Sequence, residues 1–126
     1  MDYQKLLHQL VLDNYNKNQW VASQGSDFYV EWLKDEIDEV VVELTNGNQD
    51  LIEFELVDIL WTLENLLERL HQEWKIDKTW LYKKAYTKYA QRLPNIASWW
   101  DPVSKEEQDN MWNEAKMRQK KELGII

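Results

Sequence analysis

A chain of 126 residues with a formal charge of −8 is long enough for one domain with a modest core, but short for an active site enclosed between helices unless a second copy supplies walls. Its acidity argues against a general nucleic-acid or membrane-surface binder, and the absence of cysteine removes disulfide and thiolate chemistry. No apolar run reaches membrane-spanning length and the opening Met1-Asp2-Tyr3-Gln4-Lys5 is not a secretory signal, so a cytoplasmic protein is expected.

Few glycines and prolines and long helical periods predict an all-α fold. The expected form is a single domain over residues 1–126, with a four-helix-bundle-like core and an extra C-terminal helix. A first helix is predicted from Asp2 as N-cap to about Lys17, with Tyr3, Leu6, Leu7, Leu10, Val11 and Tyr15 on one stripe. His8 falls beside that stripe and reads as a surface or satisfied core residue. The pattern then breaks into a polar loop over residues 18–27, in which Trp20 is an unusual aromatic, either a loop anchor or a subunit contact on packing grounds. Ser26 or Asp27 is expected to cap the second helix, where Trp32 is assigned to core packing. Gly47 suits that helix's C-terminal stop. Asp50 is expected to cap a third helix, Leu51 to about Trp74, the most apolar of the chain and therefore the centre of the bundle. On it, Glu64 and Glu68 read as a solvated face. Asp77 is expected to cap a fourth helix, Lys78 to Leu93, closed by Pro94. An aromatic turn at Trp99 and Trp100 follows, and Ser104-Lys105-Glu106-Glu107 is a capping box opening a last helix that ends near Gly124.

The second and third helices form a hairpin, and each carries two acids three residues apart: Glu36 with Glu39, and Glu55 with Asp58. That spacing places each pair on one helix face. The first pair is centred roughly ten residues before the middle of the loop and the second about nine after it, so at about 1.5 Å per residue they stand nearly level. Four carboxylates facing one another beside an apolar stripe repel and are poorly solvated unless a cation sits among them. Mg²⁺ is the natural choice, with Mn²⁺ as a substitute. The plainer reading is that the acids are simply solvated, but the apolar neighbours Phe54, Leu56, Val57, Ile59, Leu60 and Trp61 leave little room for a wet face around Glu55 and Asp58.

Two further patterns bear on metal and phosphate chemistry. Glu68-x-x-His71 is the only motif of its kind, whereas a di-iron bundle requires two, so iron chemistry is not expected. Lys84, Lys88 and Arg92 stand at i, i+4 and i+8 and form a basic stripe. Such a stripe is either a solvated face or a set of phosphate contacts, for which the Arg fork is well matched.

Glu-x-x-Glu, a gap of some fifteen residues, and then Glu55-Leu-Val-Asp58-Ile-Leu resembles the signature of the MazG-like, all-α nucleoside triphosphate pyrophosphohydrolases, a group that includes dCTP pyrophosphatases and dimeric dUTPases. The resemblance spans roughly Trp20 to Pro94. Asp35 stands where the pattern commonly has a first glutamate, Trp32 near where many relatives carry a lysine, and Lys88 where an amide is usual. The resemblance implies Mg²⁺-dependent conversion of a (deoxy)nucleoside triphosphate to monophosphate and pyrophosphate. Glu36, Glu39, Glu55 and Asp58 would be metal ligands, with Glu36 and Glu39 the candidates to take a proton from water. It also implies that Trp20 stacks on the base and that Lys84, Lys88 and Arg92 neutralise pyrophosphate. Thr62 stands one turn past Asp58 on the same face, where its hydroxyl either reaches a sugar or a metal-held water or back-bonds to its own helix. A homodimer or homotetramer is expected, with neither nucleic acid nor membrane as partner. The alternatives are a non-catalytic helical assembly or regulatory module, and a phosphoribosyl-ATP pyrophosphohydrolase.

Overall fold

A computed structural model describes residues 1–98 and 102–126; the aromatic turn expected at Trp99 and Trp100 lies outside the described residues. Seven α-helices occur among those described, with no strand: α1 (Tyr3–Lys17), α2 (Gln19–Ser23), α3 (Ser26–Asn46), α4 (Gln49–Gln72), α5 (Leu81–Arg92), α6 (Pro94–Ala97) and α7 (Lys105–Glu122). No described helix is long and apolar enough to cross a membrane. The chain divides into two compact units, Met1–Lys78 and Thr79–Ile126.

The first unit is built on the α3–α4 hairpin. Gly47 takes the left-handed conformation at φ 72° and its N–H closes α3 on the Glu43 carbonyl, which glycine does without the steric penalty of a Cβ. Asn48, not Asp50, caps α4 by accepting from the Leu51 N–H; the helix begins two residues earlier than the apolar pattern suggests, which leaves Asp50 within its first turn. At the other end of α3 the expected Ser26 or Asp27 cap is replaced by Gly25, which offers no side chain. Ser26 is instead buried as the first helical residue, and its hydrogen bonding to Glu73 holds that carboxylate below its usual range.

Asp2 caps α1 as expected. The predicted polar loop after it contains a helical turn, α2, because Asn18 Oδ1 accepts from the N–H groups of Trp20 and Val21. Arg69 of α4 fastens both elements: its Nη1 donates to Tyr15 Oη at 3.1 Å and to the Ala22 carbonyl at 3.0 Å, with the guanidinium over the Tyr15 ring. Val11, Val21, Tyr29, Val40 and Leu66 are the buried apolar residues between these helices.

Helix α4 packs on both α3 and α1, but it is not buried all round. One face, with Thr62, Asn65, Leu66 and Glu68, is buried, whereas Phe54, Leu56, Val57, Leu60 and Leu63 are exposed. The helix is apolar on more sides than α1 and α3 cover.

The second unit pairs α5 with α7. Lys78–Trp80 forms a 3-10 turn before α5, so the predicted fourth helix starts three residues late. Pro94 ends α5 as expected but also opens the short α6 as its first residue, the position where a missing N–H matters least. Ser104 caps α7 as expected, its Oγ accepting from the Glu107 N–H at 3.1 Å. Ala115, Trp112 and Tyr89 form the seam of α5 with α7.

Candidate metal centre

Because the turn at Gly47 and Asn48 is tight, residues equally distant from it on α3 and α4 meet. One carboxylate oxygen from each of Glu36, Glu39, Glu55 and Asp58 lies within 4.8 Å of every other. Glu36 is only 8 % exposed, Glu55 and Asp58 are partly buried and Glu39 is exposed. The cluster is therefore enclosed on the Glu36 side and open at Glu39.

The electrostatics are unbalanced. Glu36 Oε2 and Glu55 Oε2 are buried and lack a hydrogen-bond partner among the described residues. None of the four acids forms an ion pair there either. Burial is the largest influence raising the Glu36 carboxyl above its usual value, and the charges of Glu39 and Asp58 add to it, while the hydrogen bond from Trp32 opposes the rise. Glu39 is raised chiefly by Glu55, through a shared hydrogen bond and like charge. Buried acceptors without donors cost about 1–3 kcal/mol each, and converging carboxylates resist ionising together. A hard divalent cation with oxygen ligands removes both penalties, so the residues present fit such an ion.

Neighbouring residues fall into two groups. Trp32, one helical turn before Glu36, does more than pack: its indole Nε1 donates to Glu36 Oε1 at 2.7 Å. The four-residue spacing held that signal, since i and i+4 share a face. Phe28 lies edge-on to Trp32 and to Trp20, and Tyr29 stacks on Trp32. Trp20 remains 53 % exposed, a large ring held at its edge with one side open. A cleft of about 520 Å³ runs beside this group, lined by Asp27, Phe28, Glu31, Trp32 and Asp35; Asp35 belongs to it and not to the four-acid cluster. Thr62, expected to reach a ligand, is 1 % exposed and its hydroxyl finds no partner among the described residues. It stands one helical turn past Asp58 on α4.

Lys84, Lys88 and Arg92 all belong to the second unit. Lys84 and Lys88 are exposed and line a cavity of about 550 Å³ with Trp80, Lys83, Leu123 and Ile125. Arg92 is 8 % exposed; its Nε donates to Gln119 at 3.0 Å and its guanidinium lies over the Trp112 and Tyr89 rings. The stripe thus contains two accessible cations and one arginine engaged in holding α5 to α7.

Two acids differ from expectation. Glu68 is not on a solvated face but 1 % exposed, ion-paired with Lys78 and accepting from Gln72 Nε2 at 2.7 Å. Glu64 meets His8 Nε2 at 3.1 Å. His71 Nδ1 accepts from the Lys78 backbone N–H and so takes no part in the four-acid cluster.

Comparison with known proteins adds independent support. No curated protein matches the chain. A mazG-related protein from Thermotoga maritima, known as a crystal structure, superposes with a TM-score of 0.84 at 23 % identity, over 90 % of this chain and 98 % of that one; at that identity the likeness establishes the fold. The family model for the MazG nucleotide pyrophosphohydrolase domain matches residues 24–97, which include all four acids and the basic stripe. The chain belongs to the MazG nucleotide pyrophosphohydrolase domain family.

Proposed function

We propose that the protein hydrolyses a (deoxy)nucleoside triphosphate to its monophosphate and pyrophosphate in a Mg²⁺-dependent reaction. The observation that carries this reading is the convergence of Glu36, Glu39, Glu55 and Asp58 with two buried oxygens lacking donors, in a chain of this family. These four side chains would hold the metal. Bound Mg²⁺ supplies charge screening for the phosphates and acidifies the attacking water. Glu39, open to solvent and raised in pKa by Glu55, is suited to accept the water's proton, with Glu36 as the other candidate. The water oxygen bonds to one of the two phosphorus atoms flanking the α–β bridge as that atom's bond to the bridging oxygen breaks, giving monophosphate and pyrophosphate. In this reading Lys84 and Lys88 match the negative charge that develops on pyrophosphate, with Arg92 bracing the helix that presents them. Trp20, half-exposed, would stack on the base, and the Thr62 hydroxyl, unpartnered among the described residues and one turn past Asp58, would face a metal-held water or a sugar.

A homodimer or homotetramer in the cytoplasm completes the proposal. Its support is apolar surface on the hairpin itself: Ile37, Val41 and Leu44 on α3, and Phe54, Val57 and Leu60 on α4, all exposed, more than an isolated small domain ordinarily presents.

The test is a panel of common NTPs and dNTPs together with phosphoribosyl-ATP, assayed with and without Mg²⁺, that separates pyrophosphate from phosphate release. Pyrophosphate release that requires metal supports the reading. Turnover confined to phosphoribosyl-ATP supports the related enzyme instead. Absence of turnover, together with no thermal stabilisation by Mg²⁺ and nucleotide, leaves the non-catalytic helical assembly.

A further inference from the structure

Glu36 is set apart by the neutral donor on one of its two oxygens. Oε1 accepts from the Trp32 indole at 2.7 Å, whereas Oε2 is buried and has no partner among the described residues. The carboxylate is thus pinned by one oxygen and presents the other. The pin is itself fixed: Trp32 is stacked on Tyr29 at 6.2 Å and meets Phe28 edge-on at 5.5 Å, and Tyr29 is 2 % exposed.

The chemistry of the donor matters as much as its position. An indole N–H is donor only and uncharged at any relevant pH. A lysine or arginine in this place would satisfy the same oxygen but would also neutralise the cluster and compete with a cation for it. Trp32 orients the carboxylate and leaves all the negative charge for the ion. Partners of this kind, behind the ligands themselves, typically change metal affinity by about 10–100-fold when removed.

We infer that Trp32 is a positioning residue for the metal centre: its indole N–H fixes Glu36 so that Oε2 serves as a preset metal ligand. The inference rests on the reading of the four acids as a divalent-cation site.

The test uses the full chain and Mn²⁺ alone, with binding followed by electron paramagnetic resonance, so that no catalytic turnover is needed. Trp32→Phe keeps the ring and removes the N–H. It should weaken Mn²⁺ binding by about tenfold or more, while leaving the helical circular dichroism unchanged. In assays, the Mg²⁺ concentration for half-maximal rate should rise by a similar factor, and turnover at saturating Mg²⁺ should largely recover. A purely structural role for Trp32 would not produce that split. Glu39→Gln is measured alongside. If the native protein binds Mn²⁺ and Glu39→Gln does not, but Trp32→Phe binds like the native protein, the Trp32 inference fails and the metal centre stands. If the native protein and Glu39→Gln are alike, the metal centre fails and the inference with it. Should Trp32→Phe not fold, the native protein gives a second reading: one ¹⁵N-indole signal should be protected from solvent exchange, move when Mg²⁺ is added, and lose its protection in Glu36→Ala. Absence of such a signal overturns the inference.

Discussion

Helix α4 carries acids of two opposite kinds. Near its C-terminal end Glu68 is almost fully buried, yet Lys78 and Gln72 satisfy it. Burial alone would raise its pKa, but the hydrogen bonds from Lys78 and Gln72 and the charges of Lys78 and His71 outweigh that and bring it below the usual value. Near the N-terminal end Glu55 and Asp58 face Glu36 and Glu39, no cation answers them among the described residues, and Glu36 and Glu39 rise above the usual value. Burial is therefore not what distinguishes a structural acid from a functional one here. The distinction is whether the chain supplies its own counter-charge: Glu68 has Lys78, whereas among the described residues no cation meets the hairpin cluster, and in the proposed reading a metal ion fills that role.

The largest test of this contrast lies at the cluster. Glu39→Gln or Asp58→Asn should reduce turnover by about 10³-fold or more, with helical content retained and no loss of thermal stability; normal rates in either variant would remove the cluster from the chemistry. Next comes Glu68. Lys78→Met leaves its charge buried and unpaired, which should cost on the order of 3 kcal/mol in a denaturant titration, and the rate per folded molecule should change far less than in the cluster variants. A rate loss without a stability loss would reverse the two assignments.

The smallest effects are in pH dependence, and the two regions should show opposite signs. Because the Glu68 pKa is depressed, its stabilisation is present above the ordinary carboxylate range and is lost as pH falls through the folded-state value. Glu36 and Glu39 are raised, so the folded chain holds their protons more tightly than the unfolded chain. Their contribution is favourable at low pH and declines as pH rises from the ordinary range through the raised values. Without metal, Glu39→Gln should accordingly melt slightly higher than the native protein at pH 7.5, with the gain shrinking at pH 5. Stabilisation of the native protein by Mg²⁺ should grow over the same interval, since binding requires the ionised carboxylates. Melting curves at the two pH values, with and without Mg²⁺, check both statements.

How much of this was legible in the sequence depended on whether the deciding contact was local. The all-α fold, the caps at Asp2 and Ser104 and the four-acid cluster follow from periodicities of three and four residues and from distance along a hairpin. The family signature reinforced the cluster. Long-range partners were not legible: nothing near Glu68 in sequence marks Lys78 as its partner ten residues on, after α4 has ended, and nothing in the basic stripe sets Arg92 apart as the one held by Gln119, thirty residues or so away in chain order. Trp32 shows an intermediate case. Its spacing from Glu36 was visible, but a tryptophan on a helix face is read as bulk before it is read as a hydrogen-bond donor.

The left-handed turn at Gly47 has a consequence beyond joining two helices. Each residue of an α-helix advances the side-chain direction by about 100°, so one residue added to or removed from the two-residue connection would swing one acidic pair away from the other. The reach from Glu36 to Asp58 is thus governed by the shortest segment of the hairpin. Length variation that most surface loops absorb without effect would, at this corner, dismantle the cluster while leaving every one of its members in place in the sequence.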